Sequence, residues 1–366
     1  NGDFRLRANS PCNDAGDSNY DSGDADLAGN PRREGPAIDM GAYEGAVAGY
    51  VISGRVQGDG ALLPMTAIVP PGGSSRFEAV ENGSAFLHFL VDGEIVSESS
   101  NYTWANVQAD GVITAVFATN TWYVDAARPD DNGDGRTWET AKKSIQAAVE
   151  IAGKDDLILV NPGIYEPVEI STHSLVIRSA QGFEATIIDA VGKTRCATLG
   201  KVPGEAGVVL DGFTLRHGRM GEGGGAMGGA LNNCLLTNNF AYHGGGAAYC
   251  TLNNCLLVGN SALYTGGAKD CTLTNCTVSK NTATEQCGGV SSCTIYNSIV
   301  WGNTAAEHEN HADSVFDYSC TDPRPDGENN LGENPMFVDA ANGDYRLAAN
   351  SPCVNAGNDS FAVGET

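Results

Sequence analysis

Apolar and polar positions alternate through the middle of the chain in one short phrase that recurs at a nearly constant interval. The copies LNNCLLTNN, LNNCLLVGN, LTNCTVSKN and IYNSIVWGN end at Asn239, Asn260, Asn281 and Asn303, which are 21, 21 and 22 residues apart. A fainter copy, LDGFTLRHG, ends one further step of 21 upstream, at Gly218. Short alternating runs separated by glycine and asparagine predict strands, and none of the copies has the 3.6-residue stripe of a helix. A period of this length predicts a solenoid.

The solenoid that fits the repeat is a right-handed parallel β-helix, in which each repeat forms one coil. Successive coils would hydrogen-bond to one another at a spacing of about 4.8 Å. The leucine-rich repeat is the alternative, because its phrase also ends in Leu and Asn or Cys. These copies lack its further spaced leucines and its helical half. We therefore predict an all-β fold: a parallel β-helix with an N-terminal capping helix, plus a small β-rich domain.

Asparagines and cysteines recur in four vertical columns of this predicted stack. Asparagine tolerates the left-handed backbone of a tight corner, and stacked amides can bond from coil to coil. The cysteines are expected to be small inward-facing residues, and the alternative is a metal or catalytic site. Disulfides along the columns are permitted by the coil spacing but not required. The columns are Asn233, Asn254, Asn275 and Asn297; Asn239, Asn260, Asn281 and Asn303; Cys234, Cys255 and Cys276; and Cys250, Cys271 and Cys293.

One amphipathic helix is predicted ahead of the coils, at about residues 137–152. Ile145, Ala148, Val149 and Ala152 lie at helical spacing, Thr137 is the expected N-cap, and Gly153 follows the last apolar position. Such a helix would cover the open first coil. The predicted segments are a closing segment of a preceding module (1–49), a small β domain (50–118), the β-helix (119–318) and a second closing segment (319–366).

The opening phrase of the chain returns at its end. NGDFRLRANSPCNDAG, residues 1–16, is answered by NGDYRLAANSPCVNAG, residues 342–357. We interpret the chain as one period of a longer tandem array, and the alternative is two ends that share a motif. In the first interpretation a disulfide joins Cys320 to Cys353, and Cys12 pairs with the equivalent of Cys320 in the preceding module.

Charge and composition argue against several classes of partner and binding site. The formal net charge of −24 argues against nucleic acid and anionic membranes. The chain contains no run of 18 apolar residues, so no membrane-spanning segment is predicted. It contains no CxxC pair, so no structural zinc site is predicted.

Two stretches resemble known families. The phrase GDFRL…SPC…DAG followed by DLAGNPR…DMGAYE resembles the tail of the choice-of-anchor Q group of bacterial surface proteins, where it follows a right-handed parallel β-helix. That resemblance implies a secreted, extracellular or cell-surface location. Residues 50–118 resemble internalin B-repeat-like modules, which are spacers or adhesive units. Tyr102, Asn106, Val107, Asp110 and Phe117 carry that match. Trp104 is interpreted as a core residue, with a sugar platform as the alternative.

Two groups of residues are candidates for chemistry. Asp130, Asn132 and Asp134 form a D-x-N-x-D-G motif, which is a candidate calcium-binding loop. An EF-hand loop would need Glu at its twelfth position, which is Ala141 in this chain. The best cluster of ionisable residues about one coil apart is Asp189, Asp211, Arg216, His217, Arg219 and His243. Retaining glycosidases need two carboxylates close together, and lyases need a base.

The sequence therefore favours a structural or adhesive tandem module of a long secreted or cell-surface protein, which assembles with itself head to tail or into a fibre. Surface glycans are a further candidate partner. The alternative is a carbohydrate-active β-helix enzyme, either a polysaccharide lyase or a glycoside hydrolase. No cofactor is expected apart from the candidate calcium site.

Overall fold

The computed structural model describes Cys12, residues 49–82, 84–91, 93–97, 99–170, 174–200 and 207–358, and Phe361. The predicted closing segment 1–49 therefore lies almost entirely outside the described residues, as do the last residues of segment 319–366. The chain divides between Phe117 and Ala118 into two compact units.

The first unit is built of two small sheets. The five-stranded sheet has the order β3-β1-β8-β5-β6, with β1 and β8 parallel, and the three-stranded sheet has the antiparallel order β2-β4-β7. The strands are β1 Tyr50–Gln57, β2 Gly60–Leu63, β3 Thr66–Val69, β4 Ser75–Glu81, β5 Phe86–Val91, β6 Glu94–Ser97, β7 Asn101–Trp104 and β8 Gly111–Phe117.

Aromatic and aliphatic side chains from both sheets fill the core of this unit. Ile52, Phe77, Phe89 and Ile113 are fully buried there. Trp104 packs against the same cluster.

The second unit is a parallel β-helix, as the repeat predicted. Its coils form three long parallel sheets, A, B and C, and one short parallel sheet, D. Sheet A contains β9 Thr121–Val124, β10 Asp156–Val160, β13 Leu175–Ser179, β16 Val208–Asp211, β20 Ala230–Asn232, β24 Thr251–Asn253, β28 Thr272–Thr274, β32 Thr294–Tyr296 and β35 Val315–Asp317. Sheet B contains β11 Gly163–Tyr165, β14 Thr186–Asp189, β17 Thr214–Arg216, β21 Leu235–Thr237, β25 Leu256–Val258, β29 Thr277–Ser279, β33 Ile299–Trp301 and β36 Cys320–Thr321.

The remaining strands complete each coil. Sheet C contains β12 Val168–Ile170, β15 Ala197–Leu199, β19 Ala226–Met227, β23 Ala247–Ala248, β27 Ala268–Lys269, β31 Val290–Ser291 and β34 His311–Ala312. Sheet D contains β18 Arg219–Glu222, β22 Phe240–His243, β26 Ser261–Thr265 and β30 Thr282–Ala283. An antiparallel pair, β37 Phe337–Asp339 and β38 Asp344–Leu347, flanks a 3-10 helix at Ala340–Asn342 and belongs to the closing segment.

Columns of like residues form the core of the β-helix, because parallel pairing places equivalent positions of successive coils directly above one another. In sheet A the pairing runs from Leu210 to Leu231, Leu252, Leu273, Ile295 and Phe316, all of which are fully buried. Burying a side chain of this size contributes roughly 1.5–3 kcal/mol. The repeat of the sequence is therefore a repeat of core positions.

Glycine recurs where neighbouring coils approach most closely. A Cβ on Gly225 would lie 2.5 Å from the carbonyl oxygen of Gly246, and one on Gly267 would lie 2.5 Å from that of Gly289. Real Cβ atoms do not approach a carbonyl oxygen so closely. The chain needs glycine at this corner for space between coils, since only a residue without a side chain fits.

The capping helix is shorter than predicted and begins later. Helix α1 spans Ile145–Val149, and its N-cap is Ser144, whose hydroxyl accepts a hydrogen bond from the N–H of Ala147. The prediction of residues 137–152 with Thr137 as the N-cap is wrong. Thr137 instead shares hydrogen bonds with Thr140, and the carboxylate of Asp131 accepts from the N–H of Ser144. The helix still contacts strands of the first coils, where it covers the open end of the core.

A buried network of hydrogen bonds lies at the first end of the stack. The carboxylate of Asp156, beside the first coil, accepts hydrogen bonds from Asn120, from the indole N–H of Trp122 at 2.7 Å and from the N–H of Gly153. At the other end, strand β36 pairs with β33, so the β-helix continues beyond the predicted limit of residue 318. Among the helices of the described residues, none has the length and apolar character that crossing a membrane requires.

Candidate functional site

A buried asparagine ladder runs through the β-helix. Asn239, Asn260, Asn281 and Asn303 are all almost fully buried. The side-chain oxygen of each accepts the side-chain N–H of the asparagine in the preceding coil, or the N–H of Gly218 in the case of Asn239, at 2.8–3.0 Å. The ladder ends at Asn310. Because all of these amides face one another, their geometry serves the stacking of coils.

The second asparagine column lies at corners where Asn254 is exposed and the other three members are half-buried. Asn233, Asn254, Asn275 and Asn297 have φ angles between 48° and 54°, in the left-handed region. The side-chain amide of Asn254 donates to that of Asn233 at 2.6 Å. Asparagine is enriched in this conformation, so the residue type follows from the corner.

The buried cysteines act as hydrogen-bonding groups between coils. The backbone N–H of Cys255 donates to the sulfur of Cys276 at 3.4 Å, and that of Cys250 donates to the sulfur of Cys271 at 3.3 Å. In the next coil a serine takes over, since the N–H of Cys276 donates to the hydroxyl of Ser298 at 2.9 Å. Burial raises the pKa of Cys255, Cys271 and Cys293, which keeps them as thiols. The six column cysteines, Cys234, Cys255, Cys276, Cys250, Cys271 and Cys293, are all buried, and no disulfide joins them in this structure.

The predicted catalytic residues fall into three separate groups. The first is centred on Asp189 at the end of β14, which pairs with Arg216 of the next coil. One carboxylate oxygen contacts Nε of Arg216 at 2.8 Å, and the other contacts Nδ1 of His217 at 3.0 Å and the N–H of Val191 at 2.9 Å. Burial raises the pKa of Asp189, but these hydrogen bonds outweigh it and the net pKa is lowered. The carboxylate therefore stays ionised and fully engaged.

The second group lies on a different sheet. Asp211 ends β16 of sheet A, and its carboxylate contacts Nε of Arg178 at 3.0 Å and the side-chain amide of Asn233 at 2.9 Å. The third group, Arg219 and His243, belongs to sheet D. The interpretation of these residues as one cluster is thus corrected, because the carboxylates of Asp189 and Asp211 lie on different sheets and bond to different neighbours.

A cleft of about 400 Å³ lies beside the first group. It is lined by Asp189, Lys193, Glu166 and Tyr165, among others. The hydroxyl of Tyr165 donates to the carbonyl of Asn161 at 2.7 Å, and burial raises its pKa to about 12. Tyr165 is therefore a structural hydroxyl at neutral pH, and Glu166 and Lys193 are the exposed charged groups of the cleft.

Sheet D carries an exposed aromatic surface that the sequence pattern did not reveal. The side chains of Met220, Phe240 and Tyr242 are 50%, 36% and 58% exposed. The guanidinium of Arg219 lies 4.9 Å from the centre of the Phe240 ring. The ring of His243 stacks on that of Tyr264, with their centres 4.7 Å apart. We call these six residues the sheet D surface.

A bulge shapes this surface. One residue, Tyr242, separates Ala241 from His243, whereas two residues, Leu263 and Tyr264, separate their pairing partners in the next coil. Bulges redirect side chains and are common near functional sites. The extra residue accompanies the stacking of Tyr264 on His243. The Nδ1 atom of His243 is buried and has no hydrogen-bond partner among the described residues.

Polar groups border the sheet D surface. Glu222 pairs in register with His243, and its carboxylate lies 3.5 Å from the hydroxyl of Tyr249. Burial and the Glu222 carboxylate raise the pKa of Tyr249, so the hydroxyl keeps its proton and donates it. In the next coil the ammonium of Lys269 contacts Asp270 at 2.6 Å. Charges of both signs therefore lie side by side.

The candidate calcium string has other partners for its oxygens. Asp130 accepts from the N–H and the side chain of Asn132, and Asp134 accepts from the hydroxyl of Thr140 at 2.6 Å. Across the described residues, no group of three or more His, Cys, Asp and Glu side chains is placed to hold a metal ion. Calcium at Asp130, Asn132 and Asp134 stays a prediction that this geometry does not favour.

The two cysteines predicted to form a disulfide lie next to each other as thiols. A hydrogen bond between their side chains raises the pKa of Cys320 and lowers that of Cys353. The sulfur of Cys320 also lies 3.2 Å from the carbonyl oxygen of Glu333. The disulfide stays a prediction, and the pairing of Cys12 with a preceding module lies beyond the described contacts.

Comparison with known proteins finds distant likenesses among solved structures. No protein-family model matches the chain, and no curated protein matches it significantly. Among solved structures, pectate lyase Pel9A is 14% identical with a TM-score of 0.39, over 66% of this chain and 92% of its own. A rhamnogalacturonan lyase is 12% identical with a TM-score of 0.36, over 55% of this chain and 68% of its own. Pectin methylesterase PemA from Erwinia chrysanthemi is 13% identical with a TM-score of 0.31, over 58% and 82%. At these values the likeness does not indicate an activity.

Both resemblances drawn from the sequence, to the choice-of-anchor Q group and to internalin B-repeats, therefore stay predictions.

Proposed function

We propose that this chain is a structural and adhesive module of a secreted or cell-surface protein, in which the β-helix is a stiff spacer. One observation carries the proposal: the outward ionisable side chains of the early coils bond from one coil to the next. Asp189 contacts Arg216 across one coil boundary, and Arg178 contacts Asp211 across another. Outward charges thus add to the backbone ladders that hold the stack together.

The state of Asp189 supports this role over catalysis. A general acid needs a proton near neutral pH, and a base or nucleophile needs a free lone pair in a substrate pocket. Asp189 is ionised, and both of its oxygens already accept hydrogen bonds from Arg216, His217 and Val191. These hydrogen bonds suit an ion pair that holds two neighbouring coils together.

Stiffness follows from the continuity of the ladders. Each coil contacts only its neighbours, so stability accumulates along the stack. The buried amides of Asn239 to Asn310 add an internal line of hydrogen bonds to the backbone sheets. A parallel β-helix with such a line resists bending between coils, as a spacer requires.

The proposed partners are further copies of the same module, joined head to tail or in a fibre, together with surface glycans. A location outside the cell or on its surface suits the net charge of −24, which disfavours nucleic acid. Electron microscopy of the native material tests the assembly. Filaments with an axial repeat equal to one module support the proposal, and dispersed single modules contradict it.

The second candidate function is that of a polysaccharide lyase or glycoside hydrolase. The cleft of about 400 Å³ beside Asp189, with exposed Glu166 and Lys193, is the observation that favours it. Turnover assays with acidic and neutral polysaccharides separate the two functions.

A further inference from the structure

We infer that the sheet D surface binds a neutral polysaccharide of flat, all-equatorial pyranose units, such as a β-linked glucan, with Phe240 and Tyr242 as the stacking residues. This inference rests on the proposed adhesive function and names its ligand. It starts from a contrast between the inward and the outward positions of the coils. Inward positions of successive coils hold like residues because stacking demands them, as in the column Leu231, Leu252 and Leu273.

The outward positions of sheet D do not follow that rule. The column that runs through Phe240 holds Arg219 in the coil before and Ser261 and Thr282 in the coils after. Coil stacking therefore does not dictate Phe240. An aromatic ring that stacking does not require, 36% exposed on a rigid sheet, is available for a partner.

The shape of the surface suits a flat ligand. Tyr242 is 58% exposed, and Gly221, in the neighbouring strand, has nothing within 4 Å of the position of its absent side chain. A ligand can therefore lie across the rings without moving protein atoms. The axial C–H groups of an all-equatorial pyranose form a flat apolar face that packs against an aromatic ring, as Tyr and Trp pack elsewhere in recognition sites.

The border of the surface suits hydroxyl groups and a neutral ligand. Arg219 and Glu222 lie on the same strand as a donor and an acceptor, and the hydroxyl of Tyr249 reaches Glu222. A polyanion would meet Glu222, Asp270 and the net charge of −24. An uncharged polyol meets donors and acceptors of both signs without that repulsion.

The size of the surface points away from a protein partner. Stable protein interfaces take roughly 20–30 residues from each side. The exposed large apolar side chains of sheet D are Met220, Phe240 and Tyr242, on strands of four residues. Such a row fits a narrow, extended chain.

Isothermal titration of the full chain with cellohexaose tests the inference. The wild type is expected to bind, Tyr242→Ala and Phe240→Ala are each expected to weaken binding at least tenfold, and Phe240→Tyr is expected to retain it. Phe183, which is also 36% exposed but lies outside sheet D, supplies the matched control: Phe183→Ala should bind as the wild type does. Circular dichroism melts establish that each variant is folded.

Three results would overturn the inference: no binding of cellohexaose, equal binding by the wild type and a variant that carries both Phe240→Ala and Tyr242→Ala, or tighter binding of polygalacturonate than of cellohexaose. A protein that binds through this surface instead would show the first result. None of these results alters the filament test, so the failure of this inference and the failure of the structural role are distinguishable.

Discussion

The side-chain oxygen of Asn260 accepts two hydrogen bonds from Asn239, one from the backbone N–H at 3.1 Å and one from the side-chain amide at 2.9 Å. The amide of Asn260 in turn donates to the carbonyl of Leu236 at 2.9 Å. A single buried residue thus satisfies three polar groups of the preceding coil. Such groups are costly when they are left without partners.

Replacement of Asn260 by Leu, which has a similar volume, should therefore destabilise the solenoid strongly. Each unsatisfied buried group costs about 1–3 kcal/mol, so a loss of at least about 3 kcal/mol is expected. Urea denaturation followed by circular dichroism measures it. Asn254→Gly is the control in the same coil, because glycine keeps the left-handed corner and only an exposed hydrogen bond is lost. Equal losses in the two variants would contradict the role of the buried ladder.

The cysteine columns should tolerate serine but not valine. Cys276→Ser keeps an acceptor for the N–H of Cys255, as Ser298 does for the N–H of Cys276. We expect it to lie within about 1 kcal/mol of the wild type, and Cys276→Val to lose about 1–3 kcal/mol because that N–H is left unsatisfied. Thermal melts of both variants provide the measurement. A valine variant as stable as the serine variant would show that the cysteine acts by volume alone.

Asp189→Asn should lower stability by about 1–2 kcal/mol at neutral pH, since the ion pair with the partly exposed Arg216 is lost. The pKa of Asp189 is lowered in the folded state. Its contribution is therefore complete above the ordinary pKa of about 3.9 and disappears as the pH falls through the folded value. The difference between wild type and variant should shrink in that acidic window.

Denaturation midpoints of the wild type and Asp189→Asn, measured from neutral to acidic pH, test this dependence. Glu184→Gln removes an exposed carboxylate nearby and should leave the midpoints unchanged. A difference between wild type and Asp189→Asn that is independent of pH would contradict the assignment of the ion pair.

Cys353 should be the most reactive of the described cysteines. The hydrogen bond from Cys320 lowers its pKa, whereas burial raises those of the column cysteines Cys255, Cys271 and Cys293. Only the thiolate reacts with iodoacetamide, so labelling of Cys353 should persist to lower pH. Peptide mapping after brief labelling identifies the modified residue. After mild oxidation the Cys320–Cys353 bridge should form and block labelling; preferential labelling of Cys255 would refute this order.

The repeat made the fold predictable because one residue pattern, read every 21 or 22 residues, marks a coil that cannot be stable alone. The structure confirms that pattern through the paired columns of Leu231, Leu252 and Leu273. Helix α1 was misplaced because local patterning favoured Thr137, whereas Asp131, 13 residues before Ser144, holds the N–H of Ser144 and sets the start. The helical spacing of apolar residues gives no sign of that contact, because Asp131 lies outside the helix.

The candidate site was predictable only in part. The sequence grouped Asp189 with Arg216, which the structure pairs across 27 residues, but it also placed Asp211 and His243 in the same cluster. The sheet D surface was not predicted, because Phe240 and Tyr242 do not recur every 21 or 22 residues as the core positions do.

The central claim is that the outward charges of the β-helix join coils and do not catalyse. Incubation of the full chain with pectin, alginate, glycosaminoglycans and β-glucan, followed by assays for unsaturated and reducing ends, tests it most directly. We predict that the wild type produces no more unsaturated or reducing chain ends than the Asp189→Asn variant does. Robust cleavage of any of these polysaccharides by the wild type, abolished in Asp189→Asn, would contradict the claim.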